Sequence, residues 1–157
     1  MFKVIVTGPE SSGKTTLCKN LSNYFKTPFL NEYAREHLTV ENKNYTQEDL
    51  LIIAKKQFSF EKNYKILDTD LITIKIWSIY KYGNCNNWIL KKIEQQRLEK
   101  RHYLLCKPDI AWKKDPLREH PNSRSELFNI YQKELESLNH NYYQIKGKTR
   151  NVLEIAK

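Results

Sequence analysis

The sequence predicts an α/β fold, a parallel sheet of five short strands flanked by helices, in one domain covering residues 1–157. Two observations carry this reading. Short β-branched runs alternate with helical apolar stripes from one end of the chain to the other. The length, 157 residues, is enough to bury one core and short for two.

The elements follow in order. Phe2–Thr7 is a β-branched run leading into a glycine-framed turn. Lys14–Phe25 places Leu17, Cys18, Leu21, Tyr24 and Phe25 on one helical stripe, and Thr27-Pro28 breaks it. Phe29–Glu32 reads as a second strand. Thr46 and Asp49 have the spacing of a capping box, opening a helix over Gln47–Tyr64. Lys65–Asp68 is a third strand ending in acids. Helices over Leu71–Tyr82 and Trp88–Lys100 flank the breaker Gly83-Asn84, and Tyr103–Cys106 is a fourth strand. A polar, proline-punctuated segment over residues 108–124 then interrupts the pattern. Ser123 and Glu126 form a second capping box for a helix bearing Leu127, Ile130, Tyr131, Leu135 and Leu138 on one face. Tyr142–Ile145 is a fifth strand, and a short helix is expected after Gly147. Strands separated by helices in this way favour a parallel sheet covered on both faces.

Composition narrows the function classes. No apolar run approaches the roughly 20 residues that span a bilayer, and no leader precedes the first strand, so a cytoplasmic protein without a membrane partner is expected. Cys18, Cys85 and Cys106 stand apart from one another and from the scattered histidines, which supports neither a disulfide framework nor a zinc site. The net charge is +9. The 21 lysines and 6 arginines are spread along the chain without a block, so a nucleic acid partner is not expected, and the excess suits an anionic ligand. Self-association is left open.

The most specific motif is Gly8-Pro9-Glu10-Ser11-Ser12-Gly13-Lys14-Thr15, a G-x-x-x-x-G-K-[ST] phosphate loop after a strand and at the start of a helix. Glycines let successive N–H groups curl inward around phosphate oxygens. Lys14 supplies a point charge for the β- and γ-phosphates, and the Thr15 hydroxyl is a ligand for Mg²⁺. The partial positive charge of the helix N-terminus adds to these. Gly8, Glu10, Ser11, Ser12, Gly13, Lys14, Thr15 and Thr16 are therefore expected to hold ATP, and the fold class becomes that of a P-loop NTPase.

A small-molecule kinase needs further parts: an acid for the metal, a base for the acceptor hydroxyl, an acceptor pocket and cations over the transferring group. Asp68, at the carboxyl end of the third strand after two apolar residues, fits the metal acid. Asp70 either faces the acceptor or caps the next helix. Glu32, at the end of the second strand, is placed to take or orient the acceptor's proton. Tyr33 can stack on an aromatic ring. Arg35 either pairs with an anionic group or is part of a solvated helix start. The 108–124 segment carries Arg118 and Arg124 and reads as a lid that brings arginine to the phosphoryl group while excluding water. Trp112 within it is either a stacking ring or an anchor for the loop. Gly147-Lys148-Thr149-Arg150 either borders the adenine ring, with Arg150 nearby, or is a plain strand-to-helix turn. The competing readings are a kinase for another nucleoside or nucleotide, and a nucleotide-binding regulatory module that hydrolyses ATP slowly.

Taken in order, GPESSGKTTL (Gly8–Leu17), NEYARE (Asn31–Glu36), LDTDLIT (Leu67–Thr73) and PDIAWKKDPLRE (Pro108–Glu119) resemble the NadR-type nicotinamide riboside kinase family. The resemblance implies ATP- and Mg²⁺-dependent phosphorylation of the ribose 5′-hydroxyl of nicotinamide riboside, and a five-stranded sheet ordered 2-3-1-4-5. Bifunctional members carry an upstream adenylyltransferase domain and some a DNA-binding domain; with the phosphate loop one strand from Met1, neither is expected here. The chain departs from the family pattern at Ala111, where proline is expected, and in the basic pair Lys113-Lys114.

Overall fold

The structure, a computed structural model, describes residues 2–9, 13–33, 45–107 and 124–145. Its elements run β1 (Phe2–Thr7), α1 (Lys14–Phe25), β2 (Phe29–Leu30), α2 (Gln47–Glu61), β3 (Ile66–Asp68), α3 (Leu71–Tyr82), α4 (Asn87–Gln96), β4 (Lys100–Cys106), α5 (Arg124–Ser137) and β5 (Asn141–Ile145). The five strands form one parallel sheet in the order β2-β3-β1-β4-β5. From β1 the chain moves outward to β2, returns to β3, and then crosses β1 to reach β4. The strand order therefore reverses beside β1, and in open α/β sheets that switch point is where ligands bind, outside the carboxyl ends of the strands.

Strand alternation divides the core in two. Val4, Val6, Ile66, Leu104 and Cys106 meet Leu17, Cys18 and Leu21 of α1 on one face. Ile5, Leu67, Tyr103 and Leu105 face the other way, toward a larger core that takes residues from α2, α3, α4 and α5. Both faces of the central strand are thus buried, as its apolar and β-branched stretch Val4-Ile5-Val6-Thr7 requires.

The local start and stop signals act as the sequence predicts. The Thr46 hydroxyl accepts from the Asp49 N–H at 3.1 Å, and the Asp49 carboxylate accepts from the Thr46 N–H at 2.9 Å, closing the capping box of α2. Gly83 ends α3 in a left-handed conformation (φ 82°), with its N–H donating to the Ile79 carbonyl. Several boundaries differ: β3, α4 and β5 each begin one residue from the expected place, and α2 stops at Glu61 instead of Tyr64. β2 stops at Leu30, so Glu32 lies beyond the strand. α4 stops at Gln96 instead of Lys100, and β4 begins at Lys100 instead of Tyr103. Lys100-Arg101-His102 reads as polar chain, yet Arg101 is only 2% exposed and sits in register with Lys3 of the central strand. A buried charge concealed the start of a strand. The Ser123 capping box, residues 108–123 of the interrupting segment and the tail after Gly147 lie outside the described residues.

Candidate active site

Gly8 (φ 139°) and Gly13 (φ 84°) flank the phosphate loop, both on the positive side of φ where a β-carbon is disfavoured. Gly13 is also the N-cap of α1, and no side chain caps that end. The first turn of α1 contains no acid. Its N–H groups and partial positive charge are therefore turned toward the switch point, with no side-chain cap among the described residues. Lys14 folds back over the loop, its Nζ donating to the Gly8 carbonyl at 2.9 Å and the Pro9 carbonyl at 3.0 Å.

One residue on, the Thr15 hydroxyl donates to Asp68 Oδ2 at 2.9 Å. This bond joins the start of α1 to the end of β3 across 53 residues. The pair supplies a hydroxyl and a carboxylate, two hard oxygen donors side by side at the phosphate loop. That donor set fits Mg²⁺, which keeps several waters and is held by one or two protein groups together with phosphates. Among the described residues no group of three or more His, Cys, Asp or Glu could form an all-protein metal cage. Cys18, one turn further along α1, is buried with its Sγ 3.8 Å from the Leu67 carbonyl. Burial pushes its thiol far above the ordinary range, and the nearby Asp68 and Glu32 charges push the same way. It is a packing residue.

Glu32 is half-buried just beyond β2. Tyr33 follows, its N–H donating to Gln57 Oε1 at 3.2 Å and its ring meeting Phe60 edge-on at 6.0 Å. Gln57, on α2 and 2% exposed, also donates from Nε2 toward the Thr69 carbonyl at 3.5 Å. It links the turn after β2 to the turn after β3. Thr16 is exposed beside Thr15. Glu10, Ser11, Ser12, Arg35, Trp112, Arg118 and Arg150 lie outside the described residues. Arg124 opens α5, but its side chain is also outside them.

Asp70 does not face an acceptor, which corrects one of the two readings open in the sequence. Its carboxylate is fully buried. Oδ1 caps α3 by accepting from the Ile72 N–H at 3.2 Å, and Oδ2 accepts from Arg101 Nη2 at 2.8 Å and from the Tyr103 hydroxyl. The cause is Thr69, which adopts a left-handed backbone (φ 68°). In a continuing strand residues 68 and 70 would share a face. The left-handed residue breaks that alternation, leaving Asp68 on the α1 side and turning Asp70 toward Arg101 and Tyr103 on the opposite side.

Arg101 was not singled out by the sequence, yet it organises this second cluster. Its Nη1 also donates to Glu61 Oε1 at 3.1 Å and to Glu99 Oε1 at 2.9 Å, and its Nε to the Tyr103 hydroxyl at 3.1 Å. Gln96 donates to Glu61 Oε1 at 3.3 Å, while Glu61 Oε2 is buried without a hydrogen bond. Burial pushes the Glu61 carboxyl up from 4.5 to about 7, with Arg101 opposing the rise. Between those limits the folded chain holds a proton that the unfolded chain has released, so stability falls as pH rises through that window. Glu61→Gln is expected to flatten this slope. Thermal unfolding from pH 5 to 8 would check it, and equal slopes for both proteins would show that Glu61 ionises normally.

With this geometry in place, known proteins can be compared. A family model described as an AAA domain matches residues 3–151. The NadR protein in complex with NAD and AMP-PNP superposes with a TM-score of 0.72 at 21% identity, covering 98% of this chain and 47% of that one. NadR in complex with NR gives 0.70 at 19% identity, covering 95% and 45%. Deoxyadenosine kinase from M.mycoides, with the products dcmp and dcdp bound, gives 0.58 at 12% identity, covering 98% and 93%. No curated protein sequence matches the chain. At these identities the likeness is one of fold: the P-loop NTPase sheet, in the strand order implied by the motif resemblance. The chain spans about half the length of the NadR chains. Among the described residues no helix is long and apolar enough to cross a membrane.

Proposed function

The chain belongs to the family described as an AAA domain, and from that premise we propose that it is an ATP- and Mg²⁺-dependent kinase for a small molecule, with nicotinamide riboside as acceptor. The observation that carries this reading is the Thr15–Asp68 contact beside Lys14 at the switch point. It is the arrangement a triphosphate and its metal require. The motif resemblance and the structural likeness to a protein solved with NR support the choice of acceptor. A cationic pyridinium also suits a site with a carboxylate and a tyrosine ring.

In this reading the loop N–H groups and Lys14 bind the triphosphate, Lys14 leaving the loop carbonyls for the β- and γ-oxygens. Thr15 and Asp68 would hold Mg²⁺, and the ion would supply charge neutralisation for the phosphate oxygens. Glu32 accepts the proton of the ribose 5′-hydroxyl as that oxygen bonds to the γ-phosphorus. The bond from the γ-phosphorus to the bridging oxygen breaks, and ADP leaves. Glu10, Ser11, Ser12, Gly8, Gly13, Thr16 and Arg150 complete the nucleotide site. Tyr33, Arg35 and Trp112 contribute to the acceptor site, and Arg118 and Arg124 close over the transferring group.

The test is ADP release from MgATP with no acceptor, with nicotinamide riboside, and with a panel of nucleosides and nucleotides. Stimulation by nicotinamide riboside, with its mononucleotide recovered, is expected. Stimulation by another nucleoside alone would keep the chemistry and replace the acceptor. Turnover raised only by nucleic acid, in a salt-sensitive way, would favour the regulatory module. Glu32→Gln is expected to lower kcat by about 10² with nucleotide affinity unchanged, read from steady-state kinetics and nucleotide titration. Unchanged kcat would remove Glu32 from the proton transfer.

A further inference from the structure

The two acids of the β3–α3 turn are held from opposite faces of the sheet, and the residue between them is strained. Asp68 is tied to Thr15 on the α1 side. Asp70 is tied to Arg101 and Tyr103 on the other side, both buried on β4. Thr69 between them is β-branched, 3% exposed and left-handed, a conformation costing roughly 1–2 kcal/mol for a residue with a β-carbon. Its N–H donates to the Val6 carbonyl at 2.9 Å, which locks the turn to the central strand. Strain of this kind persists only where the surroundings over-determine it. Asp70 is held by side chains that have no contact with the phosphate loop among the described residues, and the Thr69 carbonyl accepts from Gln57 Nε2 at 3.5 Å.

We infer that Arg101 and Tyr103 are positioning residues for the metal-binding carboxylate Asp68, acting through Asp70 and the left-handed Thr69 turn. The inference rests on the kinase reading, because it assigns Asp68 to the metal. The bond pattern at Asp70 leaves one orientation for residue 70, the cap on Ile72 fixes where α3 begins, and Thr69 cannot relax to a right-handed or extended conformation without breaking one of these. Asp68 is thereby presented to Thr15 rather than continuing the strand. When the anchor is loosened, Thr69 relaxes, and the distance between Asp68 and Thr15 is no longer set. Partners outside the direct ligands of a metal commonly change its affinity by about 10- to 100-fold, and this anchor is one step further removed.

The test uses Asp70→Asn and Thr69→Gly in the full chain. Asparagine keeps the size and the capping oxygen but puts an N–H₂ donor where Arg101 and Tyr103 donate. Glycine removes the left-handed cost while leaving the Asp70 anchor in place. For each protein, and for the double variant, Mn²⁺ binding to its complex with a non-hydrolysable ATP analogue is measured by electron paramagnetic resonance. Binding of the metal-free analogue is measured by fluorescence, and folding by thermal unfolding. Mn²⁺ affinity in the ternary complex is expected to fall about tenfold in Asp70→Asn and to stay at the unaltered level in Thr69→Gly, with metal-free nucleotide affinity within about twofold of the unaltered protein in both. In the double variant Mn²⁺ affinity is expected to recover, because no strain then drives the turn away from its left-handed conformation. Unchanged Mn²⁺ affinity in folded Asp70→Asn, or no recovery in the double variant, would overturn the inference while sparing the kinase reading. Failure of the unaltered protein to bind the analogue with Mn²⁺ would overturn both.

Discussion

Lys14→Ala is expected to lower turnover by roughly 10³–10⁴ while leaving the protein folded. In the proposed reaction Lys14 is the cation that the described residues place at the β- and γ-phosphates, and charge accumulates there as the phosphoryl group moves. A donor aimed at developing charge is worth far more in the transition state than in the resting complex. The loss should therefore fall mainly on kcat, with a smaller rise in the KM for ATP. The fold should survive because the side chain is half-exposed and its two hydrogen bonds go only to carbonyls of its own loop. Those carbonyls can turn to water when the ammonium is removed. Kinetics with the best acceptor from the panel, together with an unfolding curve, would check both halves. Near-normal phosphorylation by a folded variant would remove Lys14 from the reaction.

The contrast between Lys14 and Asp70 shows what kind of information is legible in a chain. The phosphate loop is a local device: glycines, lysine and threonine lie within eight consecutive positions, and the strand before and helix after them are set by local pattern. Its residues could be read one by one, and β1, α1 and α3 fall on the predicted boundaries. Asp68 was legible for a related reason, since an acid after two apolar residues at the end of a strand has one natural place to go. Asp70 was not. Its orientation depends on the backbone of Thr69, and nothing in a threonine announces a positive φ. The partner that makes the orientation stable is 31 residues away.

Arg101 was hidden for the opposite reason: its own chemistry misleads. An arginine in a Lys-Arg-His run reads as solvated chain, and the start of β4 was placed three residues late because of it. Only the register of β4 beside Lys3 puts that guanidinium under α2 and α3, where Glu61 and Asp70 had already been buried by apolar neighbours of their own. Asp68 and Glu32 can each be singled out from the end of one strand, whereas the Asp70–Arg101–Glu61 cluster brings together β4, α2 and the turn after β3.

Arg101→Met is expected to cost roughly 3–5 kcal/mol of stability, a large share of the 5–15 kcal/mol typical of a whole domain. The guanidinium is fully buried and serves two buried carboxylates. Without it Asp70 Oδ2 keeps only the Tyr103 hydroxyl, and Glu61 Oε1 keeps only Gln96. The penalty comes from the orphaned charges more than from the worth of the ion pairs, since desolvation offsets much of what a buried pair gains. Two consequences separate these contributions. The triple variant Arg101→Met, Asp70→Asn, Glu61→Gln should be more stable than Arg101→Met alone, because neutral groups replace the stranded carboxylates. The single variant's deficit should also shrink as pH falls below 7, because Arg101 is what opposes the upward push on Glu61. Without Arg101, folding would favour the protonated acid over a wider range. Unfolding curves for the three proteins at pH 5.5 and 8 measure both. A triple variant no more stable than the single one, with a deficit independent of pH, would mean that Arg101 stabilises the fold through its packing and not through the charges it holds.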